Sequence, residues 1–160
     1  MNPAGAEALD RIADGRVLAS GGTWIDMREL RGAADALARR LPSATAALNL
    51  CERRENFLVG FLALLLRGQA CLLPPSRAPA VVDEVMQAHP GCYWLDDDMV
   101  GLWSAASGRG APGMPDIPEE RVVVVGYTSG STGRPTANPK TWGSFLASVR
   151  LNVARLHEAL

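Results

Sequence analysis

The sequence contains no CxxC pair, no cluster of cysteine and histidine at metal-ligand spacing, and no apolar run long enough to span a bilayer. Its three cysteines, Cys51, Cys71 and Cys92, are odd in number and well separated. They predict buried thiols in a reducing, cytoplasmic setting rather than a disulfide framework or a zinc site. The most apolar stretch, FLVGFLALLL, is ten residues long and stops at Arg67, against the roughly 20 residues that a spanning helix needs. It predicts a buried helix. Excess charge of one sign is missing as well. Sixteen basic side chains stand against seventeen acidic ones, which excludes a general polyanion-binding surface, disfavours nucleic acid as a partner, and leaves room for one local phosphate site. The opening MNPAGAEALDRIADGR has acids among its first residues and no continuous apolar core, so no signal peptide is expected. His89, beside Pro90, and His157, on a helix surface, have no sequence-near partner that fixes a role; both predict structural or solvated side chains.

What is present is the material for one globular domain: 160 residues, 48% of them hydrophobic. VLAS and TWI, joined by Gly21 and Gly22, predict a small hairpin. Asp26 then reads as a helix N-cap, with Glu29 completing a capping box, for a helix over 27–40 that Pro42 stops. ATAALNL (44–50), ACLLPP (70–75) and CYWL (92–95) are short apolar runs with strand character. Between them lie ERRENFLVGFLALLLRG, which ends at Gly68, and 78–88, with Val81, Val82, Val85 and Met86 at helical spacing. Strand and helix alternate, which predicts an α/β fold with a largely parallel sheet, flanking helices and ligand loops at the carboxyl ends of the strands. Residues 1–95 form this amino-terminal α/β part. Residues 96–120, rich in Gly and Pro, predict a surface linker, and Asp96, Asp97 and Asp98 an exposed acidic turn without function or metal. Residues 121–160 hold a last strand over Val122–Val125, a loop, and a helix whose apolar side carries Trp142, Phe145, Leu146, Val149, Val153, Leu156 and Leu160, capped by Thr141 or Ser144.

The loop is the part with chemistry. Thr128, Ser129, Gly130, Ser131, Thr132 and Gly133 follow the valine run in a stretch that contains no carboxylate. Glycines permit close backbone approach, so that several N–H groups can point at one anion, and hydroxyls add donors that rotate to suit. Walker A is excluded, because no Lys-Ser or Lys-Thr follows the glycines, and so is GxGxxG. Arg134 and Lys140 are the candidate cations.

The nine residues YTSGSTGRP, Tyr127 to Pro135, resemble the phosphate-loop signature of the adenylate-forming superfamily, which comprises acyl-CoA synthetases, aryl-acid ligases, luciferases and peptide-synthetase adenylation domains. TWIDMRELRGAADALARRL and ENFLVGFLALLLRGQACLLPP resemble the family's opening helix and its next helix and strand. All of the chain can be laid on the amino-terminal subdomain of such an enzyme. The resemblance implies an ATP-dependent acyl or aryl acid ligase. A carboxylate attacks the α-phosphorus of ATP, pyrophosphate leaves, and the acyl-AMP passes to coenzyme A or a carrier phosphopantetheine, with Mg²⁺ taking part of the phosphate charge. Thr128, Ser129, Gly130, Ser131, Thr132 and Gly133 would hold the β- and γ-phosphates.

Two departures from the family qualify that implication. The usual lysine after the proline is replaced by Thr136, which makes Lys140, in the context Lys140-Thr141-Trp142, the expected phosphate-facing charge. The segments that line the acid pocket, bind ribose and carry the catalytic lysine have no counterpart here, so no catalytic residue can be named. The chain alone is expected not to adenylate, and to need the remaining part of the enzyme as partner. Without that part, self-association or disorder of the loop and the last helix is expected. The competing expectation is a non-catalytic interaction module derived from an adenylation half-domain.

Overall fold

A computed structural model of the chain describes residues 16–18, 22, 24–104, 113, 115–129 and 135–159. The predicted hairpin is present: β1 (Arg16–Leu18) pairs antiparallel with β2 (Trp24–Asp26), Val17 opposite Ile25. Gly22 sits between them at φ +82°, a conformation that favours glycine. Asp26 starts α1 (Met27–Ala38) by the expected capping box. Its carboxylate accepts the Arg28 N–H at 2.7 Å, and the Glu29 carboxylate accepts the Asp26 N–H at 3.4 Å. Leu30, Ala34 and Leu37, the apolar stripe of that helix, are all buried.

The main sheet comprises β3 (Ala46–Asn49), β4 (Ala70–Leu73), β5 (Tyr93–Leu95), β6 (Val122–Ser129) and β7 (Pro135–Thr141) in the order β5-β3-β4-β6-β7. All neighbours run parallel except β6 and β7. Intervening helices are α2 (Arg54–Leu66), α3 (Pro79–Ala88) and α4 (Asp97–Ser104), and α5 (Trp142–Ala159) follows β7. Both faces of the sheet are covered, which is why β3 is buried at every position and reads as an unbroken apolar run. On one side α1, α2 and α4 bury Leu37, Ala63, Leu64, Leu95 and Val100 around Ala47 and Cys71. On the other, Val85 of α3 packs on Leu48, Leu72 and Val125. A third cluster joins Leu65 of α2 to Ile117, Val123 and Trp142 at the start of α5. Helix α2 is therefore apolar around most of its girth because it packs in two directions. A register shift between Val122 and Val124 interrupts the β6 alternation; Val123 and Val124 both pack with the Leu65 cluster, whereas Val125 faces α3.

Three expectations are corrected. The stretch 96–120 is not simply a linker, since α4 occupies its start with Val100 fully buried. The acidic triplet is not an idle turn. Asp96 accepts the Met99 N–H at 2.8 Å and so caps α4. Asp97 accepts the Glu52 N–H at 2.9 Å and the Asn56 side-chain amide at 2.9 Å, tying the end of β5 to the start of α2. Finally, β6 continues past Val125 to Ser129, and β7 adds a strand where the sequence predicts only loop.

The β7 edge has a built-in guard. N–H direction alternates along a strand, so Pro135, Ala137 and Pro139 share one orientation. Prolines have no N–H to give the ladder, which assigns the inward donors to Thr136, Asn138 and Lys140 and leaves Ala137 as the outward donor between two prolines. This disfavours strand addition at β7, one route to the expected self-association. Among the described residues no helix is long and apolar enough to cross a membrane.

Candidate functional site

The loop chemistry sits on a hairpin arm. Strand β6 pairs with β4 only as far as Gly126, opposite Leu73. Beyond that point Tyr127, Thr128 and Ser129 pair with Ala137, Thr136 and Pro135 of β7 alone. The arm thus extends past the sheet at the carboxyl ends of β3, β4 and β6, the end at which open parallel sheets present their ligand loops. Thr128 and Ser129 are exposed at its described end. Gly130, Ser131, Thr132, Gly133 and Arg134, between Ser129 and Pro135 in the sequence, lie outside the described residues. From Val122 to Thr141 the arm has no carboxylate, a donor set that suits an anion such as a nucleotide phosphate.

Lys140 is exposed, but its backbone pairs with Val124. That is four positions from Thr128, about 13 Å along the ladder at about 3.3 Å per residue. The structure therefore brings Thr128, Ser129 and Thr136 together and leaves Lys140 at the base of the arm. Thr128, Thr136, Asn138 and Lys140 share one face by alternation, and Tyr127, Ser129 and Ala137 share the other. Lys140 is also the only lysine in the chain, a signal readable in the sequence.

The amino terminus of α5 lies at the base of the arm, away from Thr128 and Ser129. Its first N–H groups are already used: Trp142 N–H donates to the Arg121 carbonyl at 2.8 Å, Gly143 N–H to the Glu119 carbonyl at 2.9 Å, and Ser144 N–H to Thr141 Oγ1 at 3.3 Å. Thr141 is thus the predicted cap, and the positive end of the helix dipole lies at the base of the arm, opposite Val122.

The face of the arm that carries Tyr127 meets α3. His89 Nε2 and the Tyr127 hydroxyl share a hydrogen bond of 2.5 Å, and their rings meet edge to face at 6.2 Å and 89°. Burial raises the Tyr127 phenol above its ordinary 10.0, which keeps it protonated. His89 is the carboxyl cap of α3, so the expectation of a structural histidine holds, with a partner 38 residues away that the sequence does not reveal.

Along the same edge, Arg77 donates to the Leu50 and Cys51 carbonyls at 2.9 and 2.8 Å. Asn49 donates to the Phe57 carbonyl at 3.0 Å and accepts from the Cys51 N–H at 3.3 Å. These bonds hold the turn between β3 and α2. Burial pushes the Cys51 thiol up to about 12, the Asp97 and Asp96 carboxylates adding to the rise. Burial also pushes Cys71 to about 12. Neither thiol is poised as a nucleophile at neutral pH. Among the described residues no three His, Cys, Asp or Glu side chains gather as a metal site.

Solved structures share this architecture. ATP-bound MatB from Rhodopseudomonas palustris superposes with a TM-score of 0.67 at 17% identity over 89% of this chain and 35% of MatB. O-succinylbenzoate coenzyme A synthetase (MenE) from Bacillus subtilis, in complex with ATP and magnesium, gives 0.71 at 15% identity over 95% of this chain and 47% of MenE. The chain has the fold of the amino-terminal part of the adenylate-forming enzymes. The Klebsiella oxytoca NpsA N-terminal subdomain in complex with 3-hydroxyanthranilyl-AMSN extends that likeness, with a TM-score of 0.68 at 23% identity over 86% of this chain and 39% of that subdomain. The chain thus spans less than half the length of each of these solved chains. No protein-family model and no curated protein sequence matches it.

Proposed function

We propose that the chain is the amino-terminal portion of an ATP-dependent acyl or aryl acid ligase of the adenylate-forming type, and that its hairpin arm cradles the β- and γ-phosphates of ATP. The observation that carries this reading is the unbroken YTSGSTGRP, from Tyr127 to Pro135, whose described ends lie on the paired strands of an arm at the carboxyl edge of a parallel sheet. Thr128, Ser129, Ser131 and Thr132 would give hydroxyl or backbone hydrogen bonds, and Gly130 and Gly133 would let the backbone close on the nucleotide. Donors held in place before reaction stabilise the charge that develops on a departing pyrophosphate. Mg²⁺, when bound, takes part of that charge. Lys140, at the base of the arm, would add a long-range attraction. The acceptor of the acyl group would be coenzyme A or a carrier phosphopantetheine. Three free cysteines, two of them buried, support a reducing cytoplasmic setting.

Carboxylate-dependent ATP–pyrophosphate exchange tests this reading. The 160-residue chain alone is expected to be inactive, and coexpression with the remaining part of such an enzyme to give exchange. Exchange by the chain alone would overturn the need for that partner.

A second reading, a non-catalytic interaction module derived from an adenylation half-domain, is favoured by one observation. The position after the motif proline, opposite Thr128, is the neutral Thr136 rather than a lysine. A stable complex with the remaining part, without exchange, would support this module.

A further inference from the structure

The geometry points to His89 as a positioning residue for the hairpin arm, an inference that rests on the phosphate-binding reading above. Past Gly126 the arm loses β4 as a neighbour, and only β7 flanks β6. Among the described residues, the His89–Tyr127 bond is the one side-chain hydrogen bond that reaches the arm between Tyr127 and Asn138 from elsewhere in the fold. Both ends of this bond are fixed. The His89 N–H donates to the Met86 carbonyl at 3.1 Å, and its carbonyl accepts the Cys92 N–H at 3.0 Å, which locks the backbone where α3 ends and β5 approaches. The Tyr127 ring packs against the cluster that contains Val85, Leu72 and Val125. Tyr127 lies directly before Thr128 and Ser129, so a latch here sets the direction in which those hydroxyls are presented.

The lever is short but sensitive. Ser129, the last described residue of β6, follows Tyr127 by two residues, about 7 Å along the strand, so a tilt of about 10° at the latch displaces it by about 1 Å. Binding groups misplaced by 1 Å already lose much of their effect. His89 would not touch the phosphate; it acts through Tyr127.

The test uses the full chain in four forms: wild type, His89→Ala, His89→Gln and Tyr127→Phe. Hydrogen exchange is read at Thr136 and Asn138, whose N–H groups close the arm ladder, and at Leu48 and Leu72 as core references. His89→Ala and Tyr127→Phe are expected to speed exchange at the arm amides about fivefold while leaving the core amides unchanged. His89→Gln, whose amide can meet the same hydroxyl, is expected to restore most of the protection. A merely structural loss would speed arm and core together, and that result, or no change at all, would overturn the latch. MgATP titration of the same forms separates the two readings. Affinity about fivefold weaker in His89→Ala and recovered in His89→Gln supports positioning. Equal affinity in all forms overturns it. Absence of MgATP binding by the wild type overturns the phosphate-binding reading and the ligand part of this inference, while the exchange result still decides the latch.

Discussion

Removing the charge of Lys140 discriminates between a cation that touches phosphate and one that stands off. The ladder register separates Lys140 from the Thr128–Thr136 pair by about 13 Å. In water two unit charges at that distance attract by about 0.3 kcal/mol, and at 0.15 M salt, where the Debye length is about 8 Å, screening reduces this to below about 0.1 kcal/mol. Lys140→Gln should then change the MgATP dissociation constant by less than about 1.5-fold at 0.15 M salt, and somewhat more at 0.01 M, where the Debye length is about 30 Å. Thr136→Lys places an ammonium directly opposite Thr128. An exposed charge pair at about 4 Å is worth about 1 kcal/mol, so this variant should tighten binding about fivefold. Isothermal titration at the two salt concentrations reads both effects. A tenfold loss in Lys140→Gln at 0.15 M salt would overturn a stand-off role for Lys140, because it requires Lys140 to reach the phosphates and the arm to re-pair.

Other consequences follow from packing and burial. Gly68 has φ +67°, and a Cβ there would lie 2.8 Å from the Arg121 guanidinium; Gly68→Ala should lower stability by about 1–2 kcal/mol in urea unfolding, and combining it with Arg121→Ala should recover only part, since the backbone strain remains. Leu64 is fully buried between α1 and the sheet, and Leu64→Ala should lose about 2–5 kcal/mol. Cys51 and Cys71 have folded thiol pKa values raised from 9.0 to about 12. Their burial stabilises fully below pH 9 and is progressively lost as pH rises from 9 towards 12, so urea midpoints should fall over that range, and less steeply in Cys71→Ala. Iodoacetamide at pH 8 should modify the half-buried Cys92 first.

The elements that the sequence announces are those whose cause is local. The Asp26–Glu29 capping box, the period of α1 and the apolar runs of β3 and β4 are each decided within a few residues, and each stands where the pattern places it. The rest depends on distant partners. Strand β7, PTANPKT, carries two prolines and an asparagine and has poor strand propensity; it forms because β6 lies beside it, with the prolines turned outward. Helix α4 hides in an acidic triplet whose Asp97 answers to Glu52 and Asn56, more than 40 residues away. The phosphate signature is legible residue by residue, yet neither the arm that carries it, nor the His89 latch behind it, nor the direction of the α5 amino terminus leaves a local trace.

Phosphate binding by the arm is tested most directly by titrating the ¹⁵N-labelled chain with MgATP, and separately with magnesium pyrophosphate, and following the backbone amides. Saturable shifts are expected from both ligands, centred on Ser129, Gly130, Ser131, Thr132 and Gly133 and fading towards Lys140. No saturable shift, or shifts centred on the start of α5 instead of the arm, would contradict such binding.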